Sequence, residues 1–296
     1  MLYRARILNP HVARLGPLAL VLFPLVSAML LSSCATASPA PRAIPVDGGT
    51  LWIDDGGRGG VPILFVHGNG GSAEEWRAQL AAFRGQGRRA VAIDLPGFGR
   101  STPPADGDYS LAAMSRAIDR AVDALDLPRF VIVGHSYAGA VVATYAAAHP
   151  EKVAGVVYLD AAGAGLTMTD EQKQRFAAAI RADKMKVVRA WFAPMLKSSP
   201  ASVQEEVLAS VERTSTEAFV AAFLSLAAYD AKRVVAAYTG PRLAIAATDV
   251  ESPLSFHKQF PEVRTVSIGG AGHWVMLDKP DEVNRALTEF MEAIPK

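Results

Sequence analysis

Cysteine is almost absent from this chain, since Cys34 is the only one among 296 residues. A disulfide framework is therefore excluded, and stability must come from a hydrophobic core. An excess of charge of one sign is absent too, because 30 Lys and Arg residues face 29 Asp and Glu residues. Without a basic run to hold a phosphate backbone, nucleic acid is not expected as a partner. The 50% content of hydrophobic residues indicates a globular protein, and the length suits one large α/β domain.

Two common classes of bound group also lack a signature in the chain. The His, Asp and Glu residues show no pair at the spacing of a zinc site, and the nearest candidates, His67 and Asp94, belong to separate predicted strands. No Gly-x-Gly-x-x-Gly sequence opens a predicted helix, as a dinucleotide site requires. We therefore expect neither a metal nor a nucleotide cofactor, and we expect a small-molecule substrate as the partner.

The N-terminal segment has the outline of a secretory signal. Three arginines precede an uncharged apolar run over residues 15–33, and the run ends in Leu-Ser-Ser before Cys34. This ending resembles the lipobox of bacterial lipoproteins, in which the cysteine is acylated. We predict a signal peptide over residues 1–33 and a lipidated Cys34 with a tether over residues 34–49. The protein would then be exported to the bacterial cell envelope and anchored to a membrane by lipid. A plain cleaved signal and an uncleaved anchor are the alternatives.

From residue 50 onward, short apolar runs alternate with segments of helical spacing. Such alternation is typical of a mostly parallel, doubly wound sheet that is covered by helices on both faces. The alternation stops over about residues 164–238, where several helices follow one another without a strand. A helical insertion of this kind predicts a cap over one end of the sheet. The predicted strands are 63–66, 90–93, 130–133, 153–159, 243–247 and 263–268.

One short motif between an apolar run and a helix carries a candidate nucleophile. It reads Gly-His-Ser-Tyr-Ala-Gly over residues 134–139, with Ser136 at its centre. A tight strand-to-helix turn around a nucleophile needs small residues two positions before and after it, which Gly134 and Ala138 provide. The alternative is a glycine-rich turn with an incidental serine, and only the context decides between the two.

Three further segments supply that context. Val-His-Gly-Asn-Gly-Gly over 66–71 follows the first core strand, Asp-Leu-Pro-Gly-Phe-Gly over 94–99 follows the next, and Gly-Gly-Ala-Gly-His over 269–273 follows the last. Together with the serine motif, they resemble the α/β-hydrolase family in order and spacing over residues 44–294. The branch of non-haem haloperoxidase-like hydrolases and small esterases is the most similar. The resemblance implies that the cap is inserted between the sixth and seventh strands.

The resemblance also implies a role for individual residues. Ser136 would attack the electrophilic carbon of the substrate, and His273 would accept the serine proton as general base. The backbone N–H groups of Asn69 and Tyr137 would form the oxyanion hole. No cofactor is implied.

The acid that would orient the base is open between three carboxylates. Asp249 follows a predicted strand and has a proline four residues later, which fits the family's pattern, although the strand-to-acid spacing is about one residue short. Glu251 lies nearby, and Asp160 ends the fourth apolar run, where some lipases of this fold place their acid. We expect Asp249 to be the acid, with Asp160 and Glu251 as alternatives.

These residues predict a serine hydrolase that cleaves ester-like bonds of small or medium uncharged substrates through an acyl-Ser136 intermediate. The same triad could instead serve carbon–carbon bond hydrolysis, lactone opening or perhydrolysis, because the fold does not determine the substrate. A catalytically inactive binding lipoprotein is the alternative from another class. Apolar residues of the predicted cap, among them Trp191, Phe192, Phe219 and Phe223, favour an uncharged substrate.

Overall fold

A computed structural model describes residues 42–46, 48–250 and 252–294 of the chain. The predicted signal peptide and Cys34 lie outside these residues, so export and lipidation stay predictions. Within the described part, no helix is both long enough and apolar enough to cross a membrane. The first strand, Arg42–Val46, begins inside the stretch that the sequence predicted as a tether, so that part of the tether prediction was wrong. Backbone pairing with the next strand orders these residues although they form no long apolar run.

Eight strands of the described residues form one mostly parallel sheet. The strand order is β1-β2-β4-β3-β5-β6-β7-β8, and the first two strands pair antiparallel at one edge. The central strands are apolar and buried on both faces, as a sheet between two helical layers requires. The strands are β1 Arg42–Val46, β2 Gly49–Gly56, β3 Ile63–Val66, β4 Ala90–Ile93, β5 Phe130–His135, β6 Val153–Leu159, β7 Arg242–Ala247 and β8 Thr265–Ile268.

Helices cover both faces of the sheet and build a core on each side. Helices α2, α3 and α8 pack on one face, and α1, α10 and α11 pack on the other. The helices are α1 Arg77–Gly85, α2 Leu111–Ala124, α3 Ala138–Ala148, α4 Asp170–Ala182, α5 Lys184–Phe192, α6 Ala201–Arg213, α7 Thr216–Ser225, α8 Ala231–Ala236, α9 Phe256–Gln259, α10 Val275–Asp278 and α11 Pro280–Glu292.

The predicted α/β-hydrolase architecture is confirmed, including the position of the cap. Helices α4 to α8 follow β6 and precede β7 without an intervening strand. Apolar side chains of α4 to α7, such as Ile180, Val188 and Phe219, join the core cluster that also contains α1 and α11. Because the nucleophile turn, the loop after β3 and the loop after β8 all lie at the carboxyl edge of the sheet, the cap closes over the predicted site.

Candidate active site

The turn between β5 and α3 holds the predicted nucleophile. Ser136 follows the last residue of β5 and has a φ of +55°, in the left-handed region that side chains disfavour. The backbone around it is tightly packed, because a Cβ atom on Gly134 would lie 2.5 Å from the carbonyl oxygen of Ala138. Only glycine fits at position 134. The strained turn raises the Ser136 side chain above the edge of the sheet.

His273 connects the Ser136 hydroxyl to a carboxylate. Its Nε2 atom lies 2.8 Å from Oγ of Ser136, and its Nδ1 atom lies 2.5 Å from Oδ2 of Asp160. The side chains of His273 and Asp160 are 12% and 4% exposed, so water has little access to their contact. With the proton on Nδ1, the imidazole donates to Asp160, and Nε2 accepts from the serine hydroxyl.

Asp160 is held in place by the strand on its other side. Its backbone N–H donates to the carbonyl oxygen of Ile245 at 2.7 Å, and its Oδ1 atom accepts from the N–H of Ala247 at 3.2 Å. Strands β5 and β6 are adjacent and parallel, with His135 paired to Leu159. The residues that follow these two, Ser136 and Asp160, therefore end side by side.

Asp249, the acid expected from the sequence, does not contact His273. Its side chain lies on the surface, where Oδ2 accepts from the Ser198 hydroxyl at 2.8 Å and Oδ1 accepts from the N–H of Gly270 at 3.2 Å. The hydrogen bond from Ser198, followed by that from Gly270, lowers the pKa of this carboxyl below its ordinary value. The structure thus corrects the expected triad geometry, because the carboxylate beside the base is that of Asp160, directly after β6. The other alternative, Glu251, lies outside the described residues.

The two predicted oxyanion donors border the same cavity as Ser136. Asn69 belongs to a four-residue turn, here called the Asn69 turn (residues 68–71), in which the N–H of Gly71 donates to the carbonyl oxygen of Gly68 at 3.1 Å. Gly70 has a φ of +82°, as the third residue of a type II turn requires. Within the described residues, the backbone N–H groups of Asn69 and Tyr137 donate to no protein acceptor.

Two buried histidines brace the loops of the site. In His67, Nε2 accepts from the N–H of Leu95 at 3.0 Å, so the proton lies on Nδ1 and is donated to the Gly68 carbonyl oxygen at 2.8 Å. In His135, Nε2 donates to the His273 carbonyl oxygen at 2.9 Å. Burial lowers the pKa of His67, and burial together with the nearby His273 lowers the pKa of His135 well below its ordinary value. No group of three or more His, Cys, Asp or Glu in the described part of the chain could hold a metal ion.

The cavity above Ser136 is small and apolar, with a volume of about 70 Å³. Among the described residues that line it, none is Lys, Arg, Asp or Glu, and the histidines are His135 and His273. Trp191 and Phe223 lie edge to face with ring centroids 4.9 Å apart, and Phe192 and Trp274 lie 5.1 Å apart. The apolar lining residues are Trp191, Phe192, Met195, Phe219, Phe223, Leu226 and Trp274.

A buried carboxyl behind the Asn69 turn is not apparent from the sequence. Glu75 lies in a 3₁₀ turn over Ala73–Trp76 and is 4% exposed, and its Oε2 atom has no hydrogen-bond partner among the described residues. Burial, followed by the nearby Glu206 and Asp94, raises the pKa of Glu75 to about 8. No sequence pattern marks this residue, because an acidic side chain at a helix start usually faces solvent.

We expect Glu75→Gln to remove a pH dependence of stability. The folded protein keeps the Glu75 proton up to about pH 8, whereas the unfolded chain loses it near the ordinary value of 4.5. The contribution of the neutral carboxyl is therefore complete below pH 4.5 and is lost as the pH rises towards 8. Glutamine mimics the neutral form, so the variant should gain on the order of 3 kcal/mol over the wild type between pH 5 and pH 9.

Urea unfolding of both proteins at pH 5 and pH 9 measures this difference. Glu74→Gln is the matched control, because Glu74 is the preceding residue of the same turn but is exposed. Parallel stability profiles for the wild type and Glu75→Gln would contradict the prediction.

Comparison with known proteins supports the architecture. Residues 61–243 match the family described as the alpha/beta hydrolase fold. The chain is 29% identical over 266 residues to the dihydrolipoyllysine-residue acetyltransferase component of an acetoin cleaving system from Pseudomonas putida. That match covers 86% of this chain and 70% of the relative. Five other curated relatives are covered over only 33% to 43% of their own length.

Solved structures show the same fold. A bromoperoxidase from Bacillus anthracis is similar with a TM-score of 0.76 at 19% identity, covering 86% of this chain and 100% of that one. An esterase from Exiguobacterium antarcticum is similar with a TM-score of 0.75, again at 19% identity and over 86% and 100% of the two chains. At this level of identity the likeness shows the fold and leaves the substrate open.

Proposed function

We propose that this chain, which belongs to the α/β-hydrolase fold family of hydrolytic enzymes, is a serine hydrolase. It would cleave ester-like bonds in small, uncharged substrates. One observation carries the proposal. The Ser136 hydroxyl, the His273 imidazole and the Asp160 carboxylate form a continuous hydrogen-bonded chain, and the serine end of this chain opens into an apolar cavity.

The geometry supports a two-step acyl transfer. In the first step, Oγ of Ser136 attacks the carbonyl carbon of the substrate while Nε2 of His273 accepts the hydroxyl proton. The carbonyl oxygen becomes an oxyanion that the N–H groups of Asn69 and Tyr137 would stabilise. As the intermediate collapses, the bond to the leaving alcohol breaks and His273 returns the proton to that alcohol.

The second step repeats this chemistry with water as the nucleophile. His273 accepts a proton from water, the resulting hydroxide attacks the acyl-Ser136 carbonyl, and the serine leaves with the proton restored. Asp160 stays ionised throughout, fixes the tautomer of His273 and stabilises the imidazolium that forms in both steps. This assigns the acid to Asp160 and not to Asp249.

The cavity supports the substrate class. Aromatic and aliphatic side chains dominate its lining, and no Arg, Lys, Asp or Glu of the described part of the chain contributes to it. Transfer of a charged acyl group into such surroundings would cost several kcal/mol without a partner. A volume of about 70 Å³ admits only a few non-hydrogen atoms beyond the reacting carbonyl. We therefore propose short, uncharged acyl groups as substrates.

A fluorophosphonate probe tests the activated serine directly. The full wild-type chain should gain the mass of one probe less HF, because Oγ of Ser136 attacks the phosphorus atom and fluoride leaves with the serine proton, and Ser136→Ala should gain none. Ser198→Ala is the control, since Ser198 is exposed and its hydroxyl donates to Asp249 at the surface, and this variant should be labelled like the wild type. A folded wild type that remains unlabelled would contradict the proposed function.

A further inference from the structure

We propose that Ser210 and Thr214 of the cap are positioning residues that hold the Asn69 N–H in place for the oxyanion. This inference rests on the proposed function, because the oxyanion forms only if Ser136 attacks a carbonyl group. Neither residue borders the cavity, and both act through the backbone of the Asn69 turn.

The two hydroxyls lie against one backbone carbonyl of that turn. Oγ of Ser210 donates to the carbonyl oxygen of Gly70 at 2.9 Å. Oγ1 of Thr214 lies 3.3 Å from the same oxygen and 3.2 Å from the carbonyl oxygen of Ser210, so its single proton is shared between two acceptors. Ser210 and Thr214 are buried, at 7% and 5% exposure, so water has little access to their hydrogen bonds. Ser210 is therefore the stronger of the two donors.

The turn fits closely into a notch between two cap helices. A Cβ atom on Gly70 would lie 2.7 Å from Cγ2 of Val211 in α6 and 3.3 Å from the ring of Phe219 in α7. Nδ2 of Asn69 donates to the carbonyl oxygen of Phe219 at 2.9 Å, which ties the turn to α7 as well. The cap thus contacts the turn on both of its central residues.

Lys184 fixes the end of α6 that carries these hydroxyls. Its Nζ atom donates to the carbonyl oxygens of Val211 at 2.9 Å and Glu212 at 3.1 Å, and also to that of Thr214. A cation at this position satisfies carbonyl groups that the helix leaves unpaired at its C-terminus. Ser210 and Thr214 consequently cannot follow the turn if it moves.

Positioning of the turn is what an oxyanion hole needs. The donors stabilise the transition state only if they point at the oxygen before it becomes charged. The Gly70 carbonyl that Ser210 holds shares a peptide unit with the Gly71 N–H, which donates to the Gly68 carbonyl oxygen at 3.1 Å. That carbonyl in turn shares a peptide unit with the Asn69 N–H, so rotation of the Gly70–Gly71 peptide would also reorient this donor. Loss of both hydroxyls should release that peptide, whereas a purely structural role would lower stability and leave catalysis intact.

The test combines Ser210→Ala and Thr214→Val in the full chain. We expect kcat for a short-chain ester to fall about 10- to 100-fold with KM changed less than about threefold. A trifluoromethyl ketone with the same acyl group gives a second readout, since Ser136 adds to its carbonyl, the proton passes to His273 and the oxygen becomes an oxyanion. Its Ki should rise by the factor by which kcat falls. The Ki of the corresponding ether, which has no carbonyl oxygen to enter the oxyanion hole, should not change.

Three further proteins make the outcomes distinct. Thr144→Val is the matched control, because the Thr144 hydroxyl also donates to a backbone carbonyl, that of Ala140 at 2.8 Å, but away from the turn, and kcat should stay unchanged. Ser210→Thr keeps a hydroxyl and should restore most of the rate. Ser210→Ala alone should lower kcat about 3- to 10-fold, and this variant provides the test if the double variant does not fold.

An unchanged kcat in folded Ser210→Ala, with only its urea midpoint lowered, would overturn the inference while the proposed function stands. An inert wild type that the fluorophosphonate probe does not label would instead remove the proposed function itself.

Discussion

Ser136→Ala is expected to lower kcat by up to about 10⁶-fold, the largest effect of any single substitution in this chain. The variant keeps the shape of the site, because alanine can occupy the same backbone turn and removes only one oxygen atom. It leaves the hydrogen bond between His273 and Asp160 unchanged but removes the serine oxygen that would form the covalent intermediate. The loss is measured from the turnover of a short-chain activated ester, which is monitored through the alcohol that it releases.

Two controls show that the loss is chemical. The urea unfolding midpoint of Ser136→Ala should be close to that of the wild type. The Ki of the corresponding ether should also be retained, because the substitution removes only the Ser136 hydroxyl from the cavity lining. An activity within a few-fold of the wild type, in a preparation free of contaminating esterases, would show that another group performs the reaction.

Asp160→Asn is expected to lower kcat by about 10⁴-fold, whereas Asp249→Asn should change it less than about threefold. The asparagine carbonyl oxygen can still accept from the N–H of Ala247, as Oδ1 of Asp160 does at 3.2 Å. Its NH₂ group would then face Nδ1 of His273, which has to become an acceptor. The ring proton would move to Nε2, and the imidazole could no longer accept the Ser136 proton.

The comparison of these two variants is the matched experiment, because both change a strand-end aspartate to its amide. Both should be assayed with the same ester over the same substrate range and checked for folding by urea unfolding. The reverse order, with Asp249→Asn as the more damaging change, would return the acid to Asp249 and would require a rearrangement of its loop.

The nucleophile turn was predictable because its backbone restricts the sequence. The approach of position 134 to the Ala138 carbonyl leaves no room for a side chain, so the motif is visible without a structure. The cap was predictable for a similar reason, since helical spacing without strands over about 70 residues has few alternatives in an α/β chain. Both features follow from constraints that are local in sequence.

The acid was not predictable, because its identity depends on contacts between distant segments. Asp160 and Asp249 both follow a predicted strand, and the sequence does not state which strand end faces the His273 loop. Strands β5 and β6 are adjacent, and this pairing places Asp160, and not Asp249, beside Ser136. Ser210 and Thr214 were missed for the same reason, since a hydroxyl inside a helix gives no periodic signal, and their partner Gly70 is 140 residues away from Ser210.

The placement of Asp160 directly after β6 has a consequence for the order in which the site is completed during synthesis. Ser136 and Asp160 belong to one β5-α3-β6 unit, whose three elements are contiguous in the chain. This unit leaves the ribosome well ahead of His273, which follows β8. The nucleophile and the acid are therefore both synthesised before the base that would activate the serine. A nascent chain that has not yet reached β8 lacks that base, so its Ser136 would remain chemically silent.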